Sequence, residues 1–202
     1  MIAITKFFSN FPMTTETLEQ KKPWEITSEV RNLVEKAIAE LDDNYAIDNG
    51  IAVHKTAIIE PGVTLKSPVI VSENCFIGAN AYFREGVFLD KNVRIGPGCE
   101  IKSTIICSNT AIAHFNYIGN SIIGQDVNFE AGAIAANHYN ERKSKDIRVK
   151  FKGKIINTGV SKFGALVGDG SKIGANAVLS PGTLLEKNTT VKRLELVEQA
   201  KE

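Results

Sequence analysis

Apolar residues recur along this chain at a period of six. From Ile59 onward every sixth position is apolar, through Leu65, Val71, Ile77, Phe83, Leu89, Ile95, Ile101, Cys107 and Ala113. The position two before each is apolar too and usually small, from Ala57 and Val63 to Cys99, Ile105 and Ala111. The period then shortens by one residue twice, giving Ile118 and Ile123, and returns at Phe129 and Ala135. After a break it resumes at Val167, Ile173, Leu179, Leu185 and Val191, and Pro-Gly pairs at 61–62, 97–98 and 181–182 fall between the apolar pairs. Six fits neither the 3.6-residue period of a helix nor the period of two of a plain strand. It fits one short strand with two inward side chains, followed by a corner. Such a strand cannot bury its inner face alone, so successive strands must wind into a coil whose turns stack. The predicted fold is an all-β solenoid over about residues 51–195.

Two segments stand outside the repeat. Residues 1–50 hold one amphipathic helix, with Val30, Leu33, Val34, Ala37, Ile38 and Leu41 on a single stripe. Thr27 or Ser28 is the expected cap, and Asp42-Asp43-Asn44 the expected end. Residues 138–164 interrupt the coils as an inserted loop, and 196–202 form a C-terminal tail. Between Arg142 and Lys154 that loop carries seven basic residues against one acid. Two readings stand side by side: a solvated, solubilising loop, or an arm that meets phosphates.

Composition narrows the function classes. Lys plus Arg is 24 and Asp plus Glu is 23, so a net charge of +1 argues against a nucleic-acid surface. No run of eighteen apolar residues predicts a membrane span, and the first residues lack the features of a signal peptide. Cys75, Cys99 and Cys107 are too few and odd in number for a disulfide framework. They fall on the inward register and read as small core residues, not acyl carriers. A cytoplasmic protein is expected.

The candidate chemistry sits just outside the core positions. Arg84 and Lys102 each follow an inward residue and are 18 residues apart. In an 18-residue turn they stack on adjacent strands about 4.8 Å apart. Two cations so close call for an anion between them, unless both side chains splay into water. By the hexad count His114 also follows an inward position, where the register breaks, as sequence rules tend to do at sites. Taken alone it reads as either a surface histidine or a base.

Residues 84–143 resemble the acetyltransferase part of the bifunctional glucosamine-1-phosphate acetyltransferase/N-acetylglucosamine-1-phosphate uridyltransferase family and its archaeal relatives, the sugar-1-phosphate nucleotidylyltransferases. The resemblance rests on Arg84, Glu100-Ile101-Lys102, His114-Phe115-Asn116-Tyr117-Ile118-Gly119, Asn128-Phe129-Glu130-Ala131-Gly132 and Asn137. The repeat itself resembles the left-handed parallel β-helix of hexapeptide-repeat acyltransferases. What the resemblance implies is an acetyl-CoA-dependent N-acetyltransferase of a hexosamine 1-phosphate, needing no metal. Arg84, Lys102, Tyr117, Asn128 and Lys143 would then hold the sugar phosphate, and His114 would be the general base. Ala131, Asn137, His138 and Ala175 would line the acyl donor. An amine attacking a thioester sheds a proton, and a neutral imidazole is a suitable acceptor. Glu100 is assigned as a partner that orients or charge-stabilises that imidazole.

The departures from the family pattern carry weight as well. Glu130 replaces a glycine, His138 stands at a tyrosine position, and no nucleotidyltransferase half is recognisable in residues 1–50. A separate nucleotidyltransferase is therefore a candidate partner, and a non-catalytic or regulatory β-helix subunit is the alternative reading. A metal enzyme of the same fold would have to use His54, His114 and His138, whose spacing lacks the close pair of the γ-class carbonic anhydrases. Arg84 and Lys102 stand two thirds of a turn out of phase with His114, so a site using all three needs two chains. The resemblance likewise implies a homotrimer with sites between subunits.

Overall fold

The structure is a computed structural model that describes residues 2, 4–12 and 21–201. From residue 51 the chain winds as a three-sided prism of short parallel strands. Face A carries the strands that begin at Thr64, Tyr82, Glu100, Tyr117, Ile134, Val178 and Leu196. Face B runs from Ile58–Ile59 through Phe76, Arg94, Ala111, Asn128 and Lys172 to Thr190. Face C runs from Ile51–His54 through Val69, Val87, Thr104, Ile122 and Ala165 to Thr183. The inward side chains, among them Val71, Ile77, Phe83, Leu89, Ile95, Ile101, Phe129, Ile173 and Leu179, fill the prism as one dry column.

The hexad count needs one correction. Both shortened repeats lie at the corner between faces A and C, the first between Ile101 and Ile106 and the second between Ile118 and Ile123. The first therefore comes two hexads earlier than the apolar pattern suggests. Ile105, Cys107, Ala111 and Ala113 are not inward, while Ile106 and Ile112 are. The pattern misleads because the small inward positions here are polar. Thr104 and Thr110 are fully buried, and their hydroxyls donate to corner carbonyls, Thr104 to Lys102 O at 2.7 Å and Thr110 to Gly124 O at 2.6 Å. A satisfied hydroxyl can occupy a core position that an apolar count skips. Cys75 and Cys99 join the inward column, but Cys107 is buried outside it.

Face C is apolar on both sides. Ala52, Ile70, Phe88, Ile105, Ile122, Leu166 and Leu184 point outward into one buried cluster that the N-terminal helix, Pro23–Ile38, and the inserted segment share. Trp24, Ile26, Val30 and Val34 of that helix are buried on this sheet. The continuous apolar runs Val69-Ile70-Val71 and Val87-Phe88-Leu89 are the signature of strands covered on both faces. The helix starts four residues before the expected cap. Pro23 opens it, as suits a residue without an N–H, and the Glu25 carboxylate accepts the Lys22 N–H at 2.8 Å. Thr27 and Ser28 lie a turn inside, donating to Trp24 O. Of the 1–50 segment, residues 1, 3 and 13–20 fall outside the described residues. A short antiparallel hairpin, Tyr45–Asp48 with Ile51–His54, leads into the first coil.

The inserted segment is also more ordered than a loop. Arg148–Phe151 and Lys154–Asn157 form an antiparallel hairpin, with Ile147 and Val149 buried against the outer side of face C. The N-terminal stretch, which opens on a short 3-10 helix at Ile4–Lys6, meets the later coils through Asp169, whose carboxylate accepts the Ser9 N–H at 2.7 Å and the Gln125 N–H at 3.0 Å. Among the described residues no helix is long and apolar enough to cross a membrane.

Candidate functional site

The corner between faces A and C collects every irregularity of the coil: both shortened repeats and the inserted hairpin. In the coil of Phe83 the irregularity takes the form of a bulge. Arg84 pairs with Lys102 and Val87 with Thr104, so Glu85 and Gly86 together face Ser103 alone. Arg84 and Lys102 are thus stacked in register, as the 18-residue spacing requires. An anion lies between them, and it comes from the chain itself. The Glu85 carboxylate takes Arg84 Nη1 at 2.7 Å on one oxygen and Lys102 Nζ at 3.1 Å on the other. Glu100 completes the group, accepting Arg84 Nε at 2.8 Å.

Burial sets the electrostatics of this group. Lys102 is only 4% exposed. That burial holds its ammonium below the ordinary lysine range, against the pull of Glu85, and the nearby charge of Lys162 acts in the same direction as burial. Burial acts to raise the Glu85 carboxyl, but Lys102 and Arg84 outweigh it and hold it below its ordinary value. Tyr117 is placed beside Glu100 by strand register, and burial followed by the Glu100 charge raises its phenol. Lys162, on the chain returning from the hairpin, escaped the sequence reading. So did Glu85, which the hexad count treats as an ordinary polar corner residue.

His114 lies elsewhere. It occupies the turn between faces B and A, exposed, one residue beyond the outward Ala113 and not directly after an inward residue. Its ring meets Phe115 edge-on at 5.6 Å, and among the described residues no group hydrogen-bonds the imidazole. Within the chain Glu100 does not reach it, and that carboxylate is engaged with Arg84. Ala131 and Ala175 occupy the same corner in the two following coils: Gly132 N–H donates to His114 O at 3.0 Å, and Asn176 N–H to Ala131 O at 2.9 Å. His114, Ala131 and Ala175 therefore form one column along the B/A edge, while Arg84 and Lys102 stand on the opposite edge of face A.

The remaining candidates divide between these two edges and the faces beside them. Asn137 is buried at the A/C edge, donating to Asn120 Oδ1 at 2.7 Å, and His138 contacts it at 3.3 Å. They lie with the cation pair and not with Ala131 and Ala175. Asn128 is exposed on face B. Lys143 is exposed in the stretch before the hairpin. Neighbouring Arg142 is anchored by Glu198 at 2.6 Å and lies over the Tyr139 ring at 3.4 Å. At the B/A corner Glu130 accepts the Ala175 N–H at 2.9 Å and a forked pair of bonds from Arg193 at 2.7 and 2.9 Å. The Arg193 hydrogen bonds, then the Ala175 N–H, pull the Glu130 carboxyl down to about 2. Burial raises the Cys75 thiol to about 11 and pushes Cys107 well up, as fits core thiols. His54 bonds Thr56 in the first coil, so the three histidines have separate surroundings, and no cluster of three metal-ligating side chains occurs among the described residues.

Face A itself is apolar toward its C-terminal end. Ile134 and Leu196 are exposed there, and Phe115 and Leu194 at its B/A edge are 70% and 79% exposed.

Comparison with known proteins agrees with this architecture. A family profile described as the GMPPB C-terminal domain matches residues 41–156, and one described as a hexapeptide repeat of succinyl-transferase matches 157–192. The hexapeptide repeat and the three-sided parallel prism make the coil a left-handed β-helix. The chain is 34% identical over 167 residues to a bifunctional sugar-1-phosphate nucleotidylyltransferase/acetyltransferase of Sulfurisphaera tokodaii, covering 80% of this chain and 41% of that one. It is 34% identical over 176 residues to the bifunctional protein GlmU of Methanococcus vannielii, covering 84% and 41%. The chain thus spans about two fifths of the length of these curated relatives. Among solved structures, the acetyltransferase domain of PglB from Neisseria gonorrhoeae aligns over 91% of this chain and 77% of its own, with 15% identity and a TM-score of 0.45. With more than half of its length matched by the first profile, the chain belongs to the GMPPB C-terminal domain family.

Proposed function

We propose that this protein is an N-acetyltransferase that moves an acetyl group from coenzyme A to the amine of a hexosamine 1-phosphate. One observation carries the reading: a registered cation pair, Arg84 and Lys102, lies on one edge of face A, and the column His114, Ala131, Ala175 lies on the other. The cation edge suits a sugar phosphate, with Tyr117 beside it. The opposite edge offers an imidazole above two alanines whose small side chains leave the edge open to an acyl donor, although Glu130 holds the Ala175 N–H. In this reading His114 takes the proton that the amine loses as it attacks the thioester carbonyl, and the thiol leaves directly with no acyl-enzyme. The Sulfurisphaera tokodaii relative, named for an acetyltransferase as well as a nucleotidylyltransferase activity, supports the class of reaction.

Because one chain separates the two edges, a complete site needs the cation edge of one copy against the His114 edge of another. The exposed apolar residues of face A, Ile134, Leu196, Phe115 and Leu194, support a symmetric assembly about that face. A homotrimer of three 22.0 kDa chains, about 66 kDa, is expected by light scattering.

The test is release of free thiol from acetyl-coenzyme A in the presence of a panel of hexosamine 1-phosphates. Release that depends on one amino sugar and falls roughly 10²–10⁴-fold in His114→Ala supports both reaction and base. Undiminished turnover in that variant removes His114 as the base. A second reading, a non-catalytic β-helix subunit, is favoured by Glu130, whose carboxylate takes the Ala175 N–H assigned to the acyl donor. Absence of release from a folded assembly with every amine would favour it.

A further inference from the structure

Within the proposed acetyltransferase reading, we infer that Glu85 is a resident counter-ion of the phosphate site. In the free protein its carboxylate occupies the position between Arg84 and Lys102 that the substrate's phosphate takes, and binding exchanges one anion for the other. Glu85 thereby sets the affinity of the site.

The backbone aims this carboxylate. Glu85 has φ +59°, a left-handed conformation uncommon for a residue with a side chain, and Gly86 follows at φ +92°. Gly86 is pressed against the N-terminal helix so closely that a Cβ there would stand 2.8 Å from the Arg31 N and Cα atoms. Ser103 Oγ donates to Glu85 O at 3.0 Å and fixes the bulge from the next coil. The peptide is therefore held while the side chain is not: its carboxylate end is half exposed, whereas Lys102 is nearly wholly buried. An incoming anion can turn Glu85 out into water, but Lys102 cannot follow it.

Charge favours the exchange when the incoming group is a phosphate monoester. The bound carboxylate brings one negative charge to Arg84 and Lys102, with Lys162 close by. A phosphate dianion brings nearly two charges and three acceptor oxygens. The cost is that of opening the resident pair. A site competent only when its own anion has left binds more weakly by the fraction of molecules in which it has left. The carboxylate that closes both pairs is itself half exposed, and two pairs of surface strength correspond to a closed-to-open ratio of about 3–20.

The test measures binding of inorganic phosphate and of glucosamine 1-phosphate by titration calorimetry, on the intact protein and on Glu85→Gln. Glutamine keeps the size and hydrogen-bonding reach of glutamate, and an unchanged melting temperature and Trp24 emission certify the fold. The expected result is tighter binding of both probes by about 3- to 20-fold in the variant. If phosphate binds the variant equally or more weakly, Glu85 holds the cations in place instead of competing, and the inference fails while the phosphate site stands. If neither protein binds either probe, the phosphate-site reading itself falls, and the inference with it.

Discussion

Gly86 joins the N-terminal helix to the cation edge, and Gly86→Ala tests that junction. Its φ of +92° is strained for alanine, at a cost of about 1–2 kcal/mol. The new methyl would also stand 2.8 Å from two backbone atoms of Arg31 and 3.2 Å from the Val30 carbonyl carbon. Backbone atoms cannot rotate away, so the helix must retreat by about 0.5–1 Å, which forfeits a quarter to a half of close-contact attraction. Ile26, Val30 and Val34 are fully buried, and their burial contributes about 1.5–3 kcal/mol each. Loss of a quarter to a half of that is about 1–4 kcal/mol, so the total is about 2–6 kcal/mol. Urea unfolding followed by Trp24 fluorescence reads it directly, because this is the one tryptophan of the chain and it is 2% exposed in the helix. Gly153→Ala is the control, with φ +77° and nothing within 4 Å of the added carbon. It carries the strain alone. If Gly86→Ala loses no more than about 0.5 kcal/mol beyond Gly153→Ala, with unmoved Trp24 emission, the helix does not bear on the bulge as described.

Two further outcomes follow from titratable groups. Glu130 is held at about 2 against an ordinary 4.5, so the folded form binds its proton less readily than the unfolded one. Its stabilising contribution is complete above 4.5 and is lost as the pH falls from there through 2. Carboxyl NMR should find this midpoint near 2, and Arg193→Met should move it back toward 4.5; a midpoint unmoved by that change refutes the forked pair. The three cysteines are buried, and the raised Cys75 and Cys107 values oppose thiolate formation. A colorimetric thiol reagent should therefore find almost none in the native protein and three in urea; rapid reaction of any native cysteine would contradict its burial.

The prism was legible because its dominant cause, a dry inward column, is written as a six-residue period. Legibility failed at the A/C corner, where other forces replace that cause. Thr104 and Thr110 enter the core as satisfied hydroxyls, so an apolar count drifts onto Ile105 and Cys107. Ile105 is genuinely buried, yet beneath the helix, and periodicity alone cannot say on which side of a sheet a residue is covered. Arg84 and Lys102 were found because 18-residue spacing stacks them. Glu85 was not, since nothing in spacing reveals that a bulge turns a corner carboxylate back between two cations. Likewise Glu100 sits close in sequence to the expected base, but strand register gives it to Arg84. Pro23, not Thr27 or Ser28, opens the helix, a start signal available in the sequence and outweighed there by a preference for hydroxyl caps.

The hairpin between Ala135 and Ala165 enters at a corner and leaves at the same corner, and Ala135 still pairs with Leu179 as if the coil were uninterrupted. Such a corner works as a socket. Changing the length of the 26 or so additional residues, relative to an 18-residue coil, outside the part that Ile147 and Val149 hold against face C, alters what hangs beside Asn137 and Lys162 while Ala135 keeps its register with Leu179. The length of the inserted segment and the register of the scaffold are thereby separable traits. A lineage, or an engineer, can retune the one by editing a plug-in segment while the other stays fixed.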